Sequence, residues 1–162
     1  MEEQLWLRSP VAGDTLRRAI ERYSRFLQLL RLYPDTTLVP PLDIDLVWHT
    51  HQCSPSQYRS DSIQLTGRFI NHSDRIDDSM LRSGMNTTRD LYRIRFGQEY
   101  VLCHCWDCET VLSMVGRLMR DGGDPEELDL ISRRVEYEVT YNRAVELVRR
   151  QKKPLQVRNL DV

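Results

Sequence analysis

The 162-residue chain reads as a mainly α protein, a compact multi-helix single domain with one long loop around residues 68–86. Three observations predict this. Apolar residues recur at three- and four-residue spacing in several segments. Helix-starting and helix-ending residues bracket those segments. No strand-rich stretch or internal repeat stands out. A hydrophobic share of 40% with 29% charged residues is that of an ordinary globular protein, and only seven glycines argue against disorder. That length suffices for its own core without staples.

The first helix is expected after a cap at Asp14 or Thr15. It carries Leu16, Ala19, Ile20, Tyr23, Leu27 and Leu30 on one face until Tyr33-Pro34 stops it. Val39-Pro40-Pro41 then forms a rigid extended step. Ser54-Pro55-Ser56-Gln57 reads as a helix start, with Ser54 as cap, Pro55 in the first position and Gln57 reaching back. That helix ends at Gly67. Residues 68–86 lack a period and hold Asn71, Asp74, Asp77 and Gly84, hence the loop, a length often functional in a small domain. A short helix follows from about Thr87 to Phe96, and another begins near Asp107 with Val111, Leu112, Val115, Leu118 and Met119. Asp124-Pro125-Glu126-Glu127 opens a last helix, about 125–151, closed by Pro154.

Charge and composition narrow the function. A formal net charge of −1 gives no global pull toward nucleic acid or anionic membrane, so neither is expected as a partner. The basic cluster Arg149, Arg150, Lys152 and Lys153 suits the end of a helix, where it complements the dipole. No apolar run reaches the roughly 18 residues of a membrane span, and the start Met1-Glu2-Glu3-Gln4 is acidic, unlike a signal peptide. A cytoplasmic location is the expectation. The partner is then an unidentified small molecule or protein, and nothing in the chain specifies an oligomeric state.

Two constellations carry chemistry. The run Leu42-Asp43-Ile44-Asp45-Leu46-Val47-Trp48-His49-Thr50-His51-Gln52-Cys53 sets two carboxylates, two of four histidines and one of four cysteines among apolar residues. Burying such groups costs free energy unless each finds a partner. On a helix, His49 and His51 point about 200° apart and cannot share an ion. Asp45, His49 and Gln52 or Cys53 then form a polar edge, opposite Ile44, Val47, Trp48 and His51. On a strand, His49, His51 and Cys53 would line one face, a spacing that presents imidazoles to zinc or iron. The apolar pattern favours the helix. Asp45 and His49 are the candidate catalytic pair. Asp45, His49 and His51, with His72 in the long loop as a third imidazole, are the candidate metal ligands. The plainer reading makes Asp45 and His49 an i,i+4 pair and His51 a satisfied core residue, with Tyr58 packing nearby.

The second constellation is Cys103-His104-Cys105-Trp106-Asp107-Cys108. Three cysteines so close suit a metal or thiol site better than a disulfide framework. Cys105 and Cys108 have the gap of a zinc knuckle, but no second pair completes four ligands, so Cys53 or His104 would have to supply the remainder. A helix starting at Asp107 would place Cys108 in its first turn, where the dipole lowers a thiol pKa and permits a Cys/His nucleophile pair. Small, inert, buried cysteines around Trp106 are the structural alternative.

The stretch Leu38 to His51, then Ser54-Pro55 and Tyr58, resembles the N-terminal domain of the glycine-rich domain-containing proteins of plants and fungi. Tyr23-Phe26-Leu27, His72 and Phe96-Gly97-Gln98-Glu99-Tyr100 fit the same pattern, and Cys-x-Cys-x2-Cys looks like a fungal branch. The resemblance spans roughly residues 15–110. It implies a developmental or stress-related context in plants. It also touches fungal relatives labelled oxoglutarate-dependent dioxygenases, although no His-x-Asp/Glu with a distant histidine on a β-rich pattern is present here. The glycine-rich region itself is absent. The resulting expectation is a helical protein that binds zinc or iron at the Asp-Leu-Val-Trp-His-Thr-His segment, a fungal metabolic enzyme being its catalytic form; the rival is a non-catalytic interaction or accessory module whose histidines and cysteines are structural.

Overall fold

The computed structural model describes residues 7–71, 77–122 and 127–151. All regular structure among them is helical: α1 (Ala12–Leu32), α2 (Leu42–Gln52), α3 (Pro55–Thr66), α4 (Asp78–Phe96), α5 (Trp106–Asp121) and α6 (Glu127–Arg150). No described helix is long and apolar enough to cross a membrane. The chain divides into two units, Leu16–Leu102 and Met1–Thr15 with Cys103–Val162.

The Leu16–Leu102 unit is built around one aromatic-rich core. Phe26, Leu29, Ile44, Tyr92 and Tyr100 are fully buried, joined by Tyr23, Leu27, Leu30, Leu38, Trp48, Tyr58 and Ile70. Rings meet at an angle: Phe26 and Trp48 lie 5.5 Å apart by centroid, Tyr92 and Tyr100 4.9 Å, the tilted geometry aromatic quadrupoles prefer. Ala19, Tyr23, Leu27 and Leu30 of the expected face of α1 are buried. Ile20 is 57% exposed, whereas Phe26 and Leu29, outside the expected set, are enclosed. The buried face is thus broader than the spacing indicated, and Phe26 extends it toward Trp48 on α2.

A buried cation organises this unit. Arg22 on α1 is 5% exposed and donates from Nε to Asp43 Oδ2 at 2.6 Å. Its two terminal nitrogens donate to the backbone oxygens of Glu99 and Tyr100, and the guanidinium lies 5.6 Å from the Tyr92 ring centroid. One side chain thus ties α1 to α2 and to the segment after α4. The fork geometry of arginine makes this possible where a lysine would offer a point charge.

The extended step before α2 is fixed through its backbone. Thr88 Oγ1 accepts from the Val39 N–H at 2.9 Å, and the Tyr100 hydroxyl donates to Val39 O at 2.8 Å. Here α4 corrects the expected loop of residues 68–86: helix begins at Asp78, not near Thr87, with Asp77 as N-cap accepting from Ser79 N. Gly84 lies inside the helix rather than breaking it. A Cβ there would stand 2.7 Å from Val39 Cγ2 and 3.1 Å from Thr37 O. The residue is glycine because the extended step passes so close, at a cost in helix propensity of about 1 kcal/mol.

Other boundaries moved for local reasons. α1 begins before Asp14 and Thr15, which are spent elsewhere: Asp14 accepts from Ser113, and Thr15 donates to Glu109. Ser54 occupies the N-cap of α3 without a side-chain bond, and Gln57 donates to Asp61 at 2.7 Å instead of reaching back. Gly67 ends α3 as expected, at φ 82°, a left-handed position that only glycine adopts without strain.

In the other unit α6 packs on α5 through Trp106, Val135 and Val139, with Met114 and Ile131 against them. Arg8 pairs with Glu146, and Arg143 with Asp107. The proposed start of the last helix at Asp124-Pro125-Glu126, the closing Pro154, and Lys152 and Lys153 of the basic cluster lie outside the described residues.

Candidate functional site

The Asp43–Cys53 run is helical, so its side chains diverge. Asp45 and His49 share the outer edge, with Nε2 to Oδ2 at 3.6 Å and side chains 33% and 46% exposed. That is an i,i+4 ion-pair distance, longer than a hydrogen bond. Asp45 and Trp48 also line an open cavity of about 700 Å³ together with Leu30, Val39, Arg68 and Ile70; the lining includes Asp45 but not His49.

His51 faces the other way and is held at both ring nitrogens. Nδ1 lies 3.1 Å from the Tyr23 hydroxyl and Nε2 3.2 Å from Asp61 Oδ2. The rings of Tyr58 and Tyr23 stand nearly perpendicular to it at centroid distances of 5.0 and 5.9 Å. Burial, then the neighbouring Tyr58 and Asp61, holds the Tyr23 phenol well above its ordinary range, so it is a proton donor at neutral pH. The structure therefore does not bring His49 and His51 to one point. The expected third imidazole, His72, lies outside the described residues. Tyr58 packs: its hydroxyl accepts from Trp48 Nε1 at 2.8 Å and donates to Ile70 O at 2.6 Å. Cys53 is exposed at the end of α2, its thiol 3.4 Å from His49 O.

The cysteines converge. One Sγ each from Cys103, Cys105 and Cys108 lie within 4.8 Å of one another, the one such group of metal-ligand side chains among the described residues. The local fold explains why. Cys105 is the N-cap of α5, its sulfur accepting from Cys108 N at 3.5 Å. Cys108 consequently sits one turn in, over the cap, and Cys103 reaches the pair from the preceding segment. All three are free thiols, Cys103 exposed and the other two half-buried.

The thiols do not behave as a dipole argument alone predicts. Hydrogen bonding to Cys105 and then Cys103, with burial, pushes Cys108 up to about 12. The Cys105 backbone N–H, with help from the two neighbouring thiols, pulls Cys103 below the ordinary thiol value. Within the trio Cys103 is therefore the thiol that ionises more readily, the reverse of the expected activation of Cys108.

His104, between Cys103 and Cys105, turns inward. Its Nδ1 is 2.8 Å from Glu109 Oε1, and Glu109, 1% exposed, accepts from Thr15 Oγ1 at 2.6 Å through its other oxygen. This chain anchors the cysteine-bearing segment to α5. Glu109 and Thr15 were invisible in the motif, as were Tyr23 and Asp61 beside His51. Their partners are distant in sequence or on another helix, where periodicity carries no information.

The fold and site together define an all-helical protein with a three-thiol cluster at a helix start. Residues 4–61 match the model of the family described as "Glycine-rich domain-containing protein-like", which supports the resemblance read from the α2 motif. Two proteins of Arabidopsis thaliana are similar over 102 residues: "Glycine-rich domain-containing protein 1" at 36% identity and "Glycine-rich domain-containing protein 2" at 33%. Each alignment covers 57% of this chain but only 12% and 13% of those relatives, so the chain spans a small part of their length. No solved structure gives a significant match. The cysteine cluster lies beyond the stretch that the family model matches.

Proposed function

We propose that this chain is a metal-binding helical module whose ion, zinc in preference to iron, is held by Cys103, Cys105 and Cys108. The observation that carries the reading is the convergence of three sulfurs within 4.8 Å. A tetrahedral zinc with Zn–S bonds of about 2.3 Å sets its sulfurs roughly 3.8 Å apart, so a contraction of at most about 1 Å closes the site. Thiolate charge at the N-terminus of α5 is also favoured by the helix dipole. A thiolate metal site of this kind suits a reducing compartment such as the cytoplasm. The Cys-x-Cys-x2-Cys run further suggests a fungal member of the family.

The test is elemental analysis of protein purified without chelators, as wild type, Cys105→Ser and His49→Ala. Serine keeps the N-cap of α5 while removing a thiolate. The expected result is one equivalent of metal in wild type and His49→Ala, and loss in Cys105→Ser. Metal lost only in His49→Ala moves the site to α2, with Asp45 and His49 as its ligands and His72 as the candidate third. No metal in wild type overturns the reading.

A second reading concerns α2. Its polar residues are largely committed to internal partners, Asp43 to Arg22, Trp48 to Tyr58, and His51 to Tyr23 and Asp61. This supports a non-catalytic module in which the motif encodes the fold, and the open cavity beside Asp45 and Trp48 is where a small molecule or a protein segment would lodge.

A further inference from the structure

We infer that the metal held by the cysteine trio keeps one coordination position for an exchangeable ligand from solution, and that a small-molecule thiolate is the ligand it favours. The inference rests on the metal reading above and extends it from a site to a binding activity. Zinc takes four ligands, and sites with three protein ligands leave the fourth position to water or substrate. Among the described residues, the convergent group contains three side chains and no fourth.

The neighbouring donor is otherwise engaged. His104 is 12% exposed at its side chain and bonded through Nδ1 to the buried Glu109, which is itself held by Thr15. Neither of its ring nitrogens is among the atoms that converge with the three sulfurs, and swinging the ring toward them would disturb its contact to a carboxylate that is 1% exposed. The outer side of the cluster is formed by Cys103, which is exposed. An ion seated on the three sulfurs therefore meets solvent on that side. A centre already bearing three soft thiolates accepts a fourth soft donor readily, and thiolate is the softest donor abundant in a reducing compartment.

Cobalt(II) substitution of the full chain, kept reduced with a phosphine rather than a thiol, tests this. Cobalt bound by three thiolates should show intense sulfur-to-metal charge-transfer absorption. Titration with 2-mercaptoethanol should raise that band saturably by about one third, as the sulfur count goes from three to four, and shift the d–d bands. His104→Asn, which keeps a donor toward Glu109 while removing the imidazole, should leave the starting spectrum unchanged. A four-sulfur spectrum before any thiol is added, no response at saturating thiol, or a starting spectrum altered by His104→Asn overturns the inference while leaving metal binding intact. Failure of cobalt to bind through sulfur at all overturns the metal reading beneath it.

Discussion

Asp61 fixes the tautomer of His51. A carboxylate accepts and cannot donate, so the 3.2 Å contact places the proton of the neutral ring on Nε2. Nδ1 must then accept, and the Tyr23 hydroxyl at 3.1 Å supplies the proton. One imidazole on α2 thereby reads out the positions of α1 and α3 together.

Asp61→Ala and Tyr23→Phe should each lower stability by about 1 kcal/mol, the usual worth of one such bond. Because both act through a single ring, their effects should couple by at least about 0.5 kcal/mol. Urea unfolding of the two single variants and the double variant measures this. Strict additivity would show that the two bonds do not form one chain.

Asp43→Ala should be more severe. It leaves the 5%-exposed Arg22 without its carboxylate, and breaking a buried pair on one side costs about 3–5 kcal/mol. Arg22→Met with Asp43→Leu should recover much of the loss in thermal unfolding, because no uncompensated charge remains. The backbone oxygens of Glu99 and Tyr100 would still lack their donor, so recovery should be incomplete.

Gly84→Ala sets two effects against each other. Helix propensity gains about 1 kcal/mol, while overpacking costs about 1–3 kcal/mol. The clash involves the Thr37 backbone oxygen as well as the enclosed Val39 side chain, so the net should be destabilising. Val39→Ala should cost less in the Gly84→Ala background than in wild type. The same measured cost in both would place the clash elsewhere.

Acid should weaken the start of α4. The Ser79 hydroxyl and N–H hold the Asp77 carboxyl below its ordinary value. A depressed folded-state pKa gives stability that is present above the unfolded value of about 3.9 and is lost as pH falls through the folded one. Asp77→Asn should retain a neutral cap and flatten the stability profile below about pH 4. An unchanged acid limb would remove Asp77 as its source.

The all-helical class was legible because it depends on local spacing and on terminators. Pro34, Pro55, Gly67 and Gly97 act on the backbone next to them: α1 ends just before Pro34, α3 runs from Pro55 to the residue before Gly67, and α4 ends before Gly97. Helical geometry also sufficed to separate His49 from His51. Gly84 misled for the same local reason: its signal within the chain is that of a breaker, and only the passage of Val39 against it explains its presence in α4.

Which polar residues matter was not decidable from spacing. Spacing paired Asp45 with His49 at the polar edge, yet it held no sign that Asp43 is buried on Arg22 from another helix. The cysteine cluster was visible as a pattern, but its convergence required the N-cap turn at Cys105 to set Cys108 back over Cys103. The sequence by itself determined the helices and the supply of ligand atoms, because both are properties of neighbouring residues. Only the tertiary structure decided which of those atoms are consumed by buried partners and which remain together, because a polar group's fate depends on what the rest of the chain places within about 3 Å of it.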